Sequence, residues 1–135
     1  MSHKLIRSLL QDRLASFADA RSLPVAWENV GFDQTAGQYL RFNLLKAPTD
    51  SADLAGAHRE YGGVCQVSIC VPKGAGPTAA EGLAVDIAEL FPINLRLSDG
   101  GFIVLVMTPC SEGPPINGDT HFMVPVSFTY RADTI

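Results

Sequence analysis

The chain changes from helix to sheet across Leu23-Pro24-Val25-Ala26-Trp27-Glu28-Asn29, which is followed by Gly37-Gln38-Tyr39-Leu40-Arg41. Pro24 ends a preceding helix, because proline lacks the amide hydrogen that a helix interior needs. Residues 25–27 then form a short strand that carries the only tryptophan of the chain. Residues 38–46 alternate between apolar and polar side chains, which predicts a second strand with one buried face.

The side chains at the end of the first strand are expected to have structural rather than chemical roles. Trp27 should anchor the first helix on the sheet with its large apolar ring. Glu28 and Asn29 should satisfy backbone groups where the strand ends, since buried polar backbone atoms need partners. No residue in this stretch indicates catalysis.

Two amphipathic helices are predicted. Residues 3–20 carry one apolar stripe, with Ser2 as the N-cap, and residues 78–90 carry another. The first stripe comprises Leu5, Ile6, Leu9, Leu10, Leu14 and Phe17, and the second comprises Ala80, Leu83, Ala84, Ile87, Leu90 and Phe91. Because each helix has a single apolar stripe, both are expected to pack on one face of a sheet.

The remaining strands are predicted from alternation and turn signals. Residues 64–72, 93–97 and 121–131 alternate between apolar and polar side chains. Residues 102–108 instead form a near-continuous apolar run, which predicts burial on both faces. The turn signal Ser98-Asp99-Gly100-Gly101 predicts a hairpin that leads into this run.

The predicted order is α-β-β-β-α-β-β-β, an α+β fold with two helices on one face of a single mixed or antiparallel sheet. Residues 1–135 are expected to form one domain, since domains commonly have this length. Two long connections interrupt the order: Ala47–Val64, which we call the flap, and Pro109–Thr120. Both contain glycine, proline and short polar residues, so both are expected to be mobile and to carry function.

Composition excludes several classes of function. Charged residues make up 18% of the chain, against about 25% in average domains, and hydrophobic residues make up 47%. This balance suggests that some apolar surface is covered in an assembly. The net charge is −4 and no basic run is present, which argues against nucleic-acid binding. No apolar run reaches the roughly 18 residues of a membrane span, and no signal peptide is recognisable, so we expect a cytoplasmic protein.

Residue chemistry indicates no catalytic residue, no metal site and no cofactor. Cys65 and Cys70 should point to opposite faces of one strand, and they and Cys110 are expected to be buried apolar residues. The three histidines and the acids show no spacing typical of metal ligands or of an acid–base pair; these acids are Glu28, Asp50, Asp53, Glu81, Asp86 and Asp119. Gly74-Ala75-Gly76-Pro77-Thr78 lacks the residues of a phosphate-binding loop and is expected to be a strand-to-helix turn.

As a whole the chain resembles the tail-terminator proteins of long-tailed bacteriophages. The resemblance is carried by Val25-Ala26-Trp27-Glu28-Asn29, Tyr39-Leu40-Arg41 and Gly62-Gly63-Val64-Cys65-Gln66-Val67, and it extends from the first helix to the last strand. It implies a structural protein rather than an enzyme. The implied role is a ring, six-membered in this family, that stops tail-tube polymerisation and offers the surface on which the filled head joins.

The resemblance also implies partners and a location. The partners would be further copies of the chain, which is a monomer when free, the tail-tube protein and a head-completion or connector protein. Neither nucleic acid nor membrane is implied. Assembly would take place in the host bacterial cytoplasm, and the finished ring would belong to the virion tail.

Contacts that close into a ring need two different surfaces on each subunit. The candidates for cross-subunit charges, with the flap and the second loop, are Arg41, Asp53, Arg59, Glu60 and Glu112. Two alternatives stay open at the level of sequence. One is another head–tail connector or minor tail protein; the other is an α+β protein that binds or hydrolyses a small ligand in a cleft beneath the flap.

Overall fold

The elements follow the predicted order closely. A computed structural model describes residues 2–28, 30–31, 37–51, 56–74 and 77–133. Its elements are α1 (His3–Ala20), β1 (Val25–Ala26), β2 (Tyr39–Lys46), β3 (Glu60–Pro72), α2 (Thr78–Leu90), β4 (Arg96–Asp99), β5 (Phe102–Val106), β6 (Ser111–Glu112), β7 (Ile116–Asn117) and β8 (His121–Asp133). Both helices have the predicted bounds, and the predicted α+β class is confirmed.

One sheet contains all the strands, in the order β1-β2-β3-β8-β5-β4, with β6 and β7 also paired to β8. β1 runs parallel to β2, and the other pairs are antiparallel, so the sheet is mixed. β3 and β8 form its centre and pair along their whole length, from Glu60 opposite Asp133 to Pro72 opposite His121. At the edge formed by β4, Gly100 and Gly101 have positive φ in the predicted hairpin turn between β4 and β5.

Both helices pack on the same face of this sheet. α1 buries Ile6, Leu10, Leu14 and Ala18, which lie four residues apart, and α2 buries Ala80, Leu83, Ala84 and Ile87. These side chains share one core with alternate residues of β2, β3, β5 and β8, such as Phe42, Val67, Val104 and Phe128. Side chains at the intervening strand positions point to the opposite face, which neither helix covers and which we call the open face.

The predicted role of Glu28 is confirmed, and Trp27 packs against the core as predicted. The Trp27 ring packs on Phe42, with centroids 5.6 Å apart, and joins the core. Glu28 Oε1 accepts the backbone N–H of Leu44 at 2.8 Å and pairs with Arg7 of α1 at 2.5 Å. The carboxylate therefore occupies the backbone N–H of Leu44, which lies at the edge of β2 beyond the end of β1 and would otherwise have no strand partner. Asn29 lies outside the described residues.

The prediction of a long loop over Pro109–Thr120 is wrong. Within it β6 and β7 pair with β8, and the backbone N–H groups of Gly113 and Gly118 donate to the carbonyls of Pro125 and His121. β5, β6 and β7 thus follow one side of β8 as an interrupted strand. Glycine and proline mark the interruptions, and in the sequence they are indistinguishable from loop residues.

The flap is shorter than predicted. β3 begins at Glu60 rather than at residue 64, and Glu60 and Asp50 exchange backbone hydrogen bonds of 2.7 and 3.0 Å across the connection. Two glycines, Gly62 and Gly63, hide this first part of the strand in the sequence, since glycine is depleted in strands. The connection between β2 and β3 therefore covers residues 47–59.

Candidate assembly surfaces

The open face carries an apolar hollow near the β4–β5 edge of the sheet. Its volume is about 360 Å³, and its lining is Arg96, Gly101, Ile103, Leu105, Met107, Arg131 and Asp133. We call this set the sheet-side hollow. The side chains of Ile103 and Met107 are 40% and 41% exposed. The prediction that residues 102–108 are buried on both faces is therefore wrong, because the helices cover only Phe102, Val104 and Val106.

The charges around the sheet-side hollow differ in how they are compensated. Arg131 lies between two acids, with its Nε 3.5 Å from Glu60 Oε1 and its Nη2 3.2 Å from Asp133 Oδ2. These contacts raise the pKa of Arg131, chiefly through its hydrogen bonds to Asp133. Arg96 is exposed and makes no ion pair with any described residue. Arg96 is therefore the cation of this rim that makes no ion pair with a described residue, whereas Arg131 is shared by two carboxylates.

A second hollow lies on the helix-covered side, between α2 and β6. Its volume is about 370 Å³, and its lining is Ala84, Val85, Ala88, Glu89, Pro92, Cys110, Glu112 and Val126. We call this set the helix-side hollow. Its lining includes Ala84 and Ala88 of α2, whose small side chains leave space beside β6. Val85 projects there with 56% of its surface exposed.

Acidic residues surround Val85. Glu81 and Glu89 lie one helical turn before and after it, on the same exposed side of α2, and Glu112 faces it from β6. None of these three acids pairs with a cation among the described residues, whereas the nearby Asp86 pairs with Arg21 at 2.6 Å. The helix-side hollow is therefore apolar within and negative at its rim.

The structure separates the charged residues that the sequence singles out. Glu112 lines the helix-side hollow, and Glu60 reaches the rim of the sheet-side hollow through Arg131. Arg41 is exposed on the open face of β2 and lines a small cleft with Trp27 and Glu28. Arg59 donates to the backbone carbonyls of Gly56 and His58 within the flap. Asp53 lies outside the described residues.

The cysteines are free thiols that are partly or fully buried. Cys65 belongs to the core under the helices, and Cys70 belongs to a small cluster with Ala26 and Tyr39 on the other face, as the spacing predicts. Burial raises the pKa of both thiols and raises that of Cys110 to about 11. Within the described ranges, no three His, Cys, Asp or Glu side chains are placed so as to hold a metal ion.

Two of the three histidines, His3 and His121, have partners within the fold. His121 is buried, with its ring nitrogens 2.9 Å from Thr120 Oγ1 and 3.0 Å from the Gly37 carbonyl. His3 lies 3.4 Å from the Tyr130 hydroxyl, and burial lowers its pKa. In the part of the chain that the structure describes, no helix has the length and apolarity required to cross a bilayer.

With two apolar hollows on opposite faces, the molecule resembles an assembly subunit, and comparison with known proteins identifies its family. Residues 5–130 match the family described as phage tail terminator protein. The chain belongs to the phage tail terminator family. A solved protein structure has the same fold as this tail terminator, with a TM-score of 0.85 and 44% sequence identity; the match covers 100% of this chain and 98% of that one. No curated protein matches.

The family establishes a structural role in the phage tail and confirms the resemblance carried by the sequence. Sequence reasoning nevertheless missed the residues that give this tail terminator its apolar surfaces, above all Val85, Ile103 and Met107. The available signal was the lean charge content together with the unbroken apolar run over residues 102–107. That run indicates a strand with two apolar faces, of which the chain's own helices cover one.

Proposed function

We propose that this protein forms a ring of six subunits on the end of the phage tail tube. The ring stops the tube from polymerising further and provides the surface on which the filled head joins. The observation that carries the proposal is the family match over residues 5–130. The number of subunits and the head-joining role are taken from the resemblance to tail terminators.

The two hollows support a ring rather than a twofold dimer. A twofold contact uses one self-complementary surface, whereas a ring uses two different surfaces on each subunit. The sheet-side and helix-side hollows differ in lining and in rim charge, and they lie on opposite faces of the sheet. Each subunit can therefore contact one neighbour on each side.

The proposed partners are further copies of the chain, the tail-tube protein and a head-completion or connector protein. Assembly takes place in the host cytoplasm and ends in the virion tail. The function is geometric, since the ring matches the tube end on one side and differs from it on the other. No catalytic step is part of the proposal.

The test is growth of tail tubes from purified tube protein, measured by electron microscopy with and without this protein. We expect rings at tube ends and a narrow length distribution when the protein is present. Tubes of unchanged length with bare ends, at protein concentrations that saturate those ends, would overturn the proposal.

The flap charges can be tested in the same assay with Arg59→Glu/Glu60→Lys. Glu60 makes an exposed contact with Arg131, and such pairs contribute about 0–1 kcal/mol, so the variant should fold. It should fail to cap tubes if the flap contacts a partner. A matched control is Lys4→Glu/Asp12→Lys, which reverses one exposed cation and one exposed anion on α1. Capping by the flap variant at the control's level would remove the flap from the contact.

A further inference from the structure

We propose that the helix-side hollow of one subunit docks on the sheet-side hollow of the next copy, with Val85 inserted against Ile103 and Met107. This pairing rests on the proposed ring and names the surfaces that build it. Val85 is among the most exposed large apolar side chains of the described chain, and Ile103 and Met107 are exposed on the only strand predicted to be apolar on both faces.

The sheet-side hollow is large enough to receive the Val85 side chain. The sheet-side hollow has apolar walls from Ile103, Leu105 and Met107 and about 360 Å³ of space, which accommodates a valine side chain. Val85 stands on a rigid helix that is fixed to the core by Leu83, Ala84 and Ile87. An apolar side chain on a rigid element that enters an apolar pocket is the usual centre of a protein interface.

Unpaired charges of opposite sign lie at the two hollows. Glu81, Glu89 and Glu112 surround Val85 without cation partners among the described residues, and Arg96 at the sheet-side hollow has no described anion partner. Docking brings Arg96 to these acids. Two copies of the acidic rim would repel each other, so the charges favour the head-to-tail pairing over the twofold one.

The position of the hollows makes the contact propagate. Ile103 and Met107 alternate with the core residues Phe102, Val104 and Val106, so they face away from the helices, whereas Val85 lies on the helix side. One subunit can therefore use both hollows at once. Such a contact continues from copy to copy until it closes, which is the behaviour that a ring requires.

Cross-linking through introduced cysteines tests the pairing. In a Cys110→Ala background, Val85→Cys and Ile103→Cys are combined in one chain, and a short bis-maleimide is added to the concentrated free protein and to the protein on tail tubes. We expect a ladder of covalent oligomers from the double variant. Either single variant should remain monomeric, and an equal mixture of the two single variants should stop at dimers.

Two further variants make the result specific. Met107→Cys replaces Ile103→Cys should that variant fold poorly, and Leu45→Cys combined with Val85→Cys is the matched control. Leu45 is a 54% exposed aliphatic residue on the open face of β2, away from the β4–β5 edge, and it should give no ladder. A ladder from the Leu45 control equal to that from the Ile103 pair, or dimers from Val85→Cys alone, would overturn the pairing.

Charge reversal provides an independent readout of the same contact. Arg96→Glu should lower the ladder yield about ten-fold, since like charges then face each other. Glu89→Lys/Glu112→Lys should do the same, and combining all three changes should restore the ladder. An unchanged yield in both single-surface variants would overturn the pairing.

The outcomes for the contact and for the function remain separate. Wild-type protein that caps tubes while the double-cysteine variant on those tubes gives no ladder would refute this pairing and leave the ring function standing. A ladder from the free protein together with uncapped tubes would support the pairing and refute tail termination.

Discussion

Replacing Gly63 with alanine should destabilise the fold by about 3 kcal/mol, the upper end of the usual cost of overpacking a closely packed site. A β-carbon at Gly63 would overlap the Leu45 carbonyl oxygen on β2 and would lie 2.7 Å from the Tyr130 hydroxyl on β8. The Tyr130 hydroxyl can move slightly, but the Leu45 carbonyl belongs to the ladder between β2 and β3. Relief of the overlap therefore requires separation of β2 from β3.

The assay is urea unfolding, followed by the fluorescence of Trp27 and by far-ultraviolet circular dichroism. Thermal unfolding gives a second measure, since for a domain of this size a loss of about 3 kcal/mol corresponds to a fall of about 10 °C in the melting temperature. Gly62→Ala is the matched control on the same strand, because its β-carbon would make only an ordinary 3.4 Å contact with the Tyr130 carbonyl oxygen. Gly82→Ala on α2 meets no atom within 4 Å and should stabilise the protein by about 1 kcal/mol. A Gly63→Ala protein within about 0.5 kcal/mol of wild type, or an equal loss in Gly62→Ala, would refute the steric argument.

Three further outcomes follow from partly buried polar groups. Glu28→Ala should lower the free energy of unfolding by about 1–3 kcal/mol, because Arg7 and the Leu44 N–H both lose their acceptor. Glu28→Gln should recover part of the lost stability. A wild-type urea midpoint for Glu28→Ala would contradict this prediction. Burial lowers the pKa of His3, so the unfolded chain takes up its proton first, and stability should fall as the pH drops below about 6.5. His3→Gln should show a smaller loss between pH 7 and pH 5.5, and equal slopes would contradict the assignment. The pKa of the Cys110 thiol is raised to about 11. The thiol should therefore react slowly with a disulfide reagent at pH 8 in the native protein and rapidly in urea. Fast labelling of the native protein would contradict its partial burial.

The helices and central strands could be predicted because their apolar spacing permits few alternatives. His3–Ala20 and Thr78–Leu90 have one stripe each, with proline at or near a boundary, and the structure gives the predicted bounds. The alternation of β2 and the later part of β3 likewise fixes which side chains enter the core. In these elements local preference and tertiary packing require the same conformation.

The strand segments that the prediction missed are those in which local preference and tertiary packing disagree. β6 and β7 are two residues each and are separated by glycine and proline, so their pairing with β8 depends on a partner that lies far along the chain. The start of β3 contains Gly62 and Gly63, and the second of these is required by the close approach of Leu45 and Tyr130. Glycine there reflects a tertiary contact, which the sequence alone presents as a loop.

The incorrect prediction for β5 has a physical meaning of its own. An apolar run such as residues 102–107 indicates that both faces of a strand are shielded from water, but it does not indicate which molecule shields them. In the single chain the helices cover Phe102, Val104 and Val106, and Ile103 and Met107 remain exposed. Solvent-exposed strand positions are usually polar, so an apolar second face suits a strand that a neighbouring subunit covers. If the Val85 contact forms, a neighbouring subunit covers Ile103 and Met107, and both faces of the apolar run are then buried in the ring.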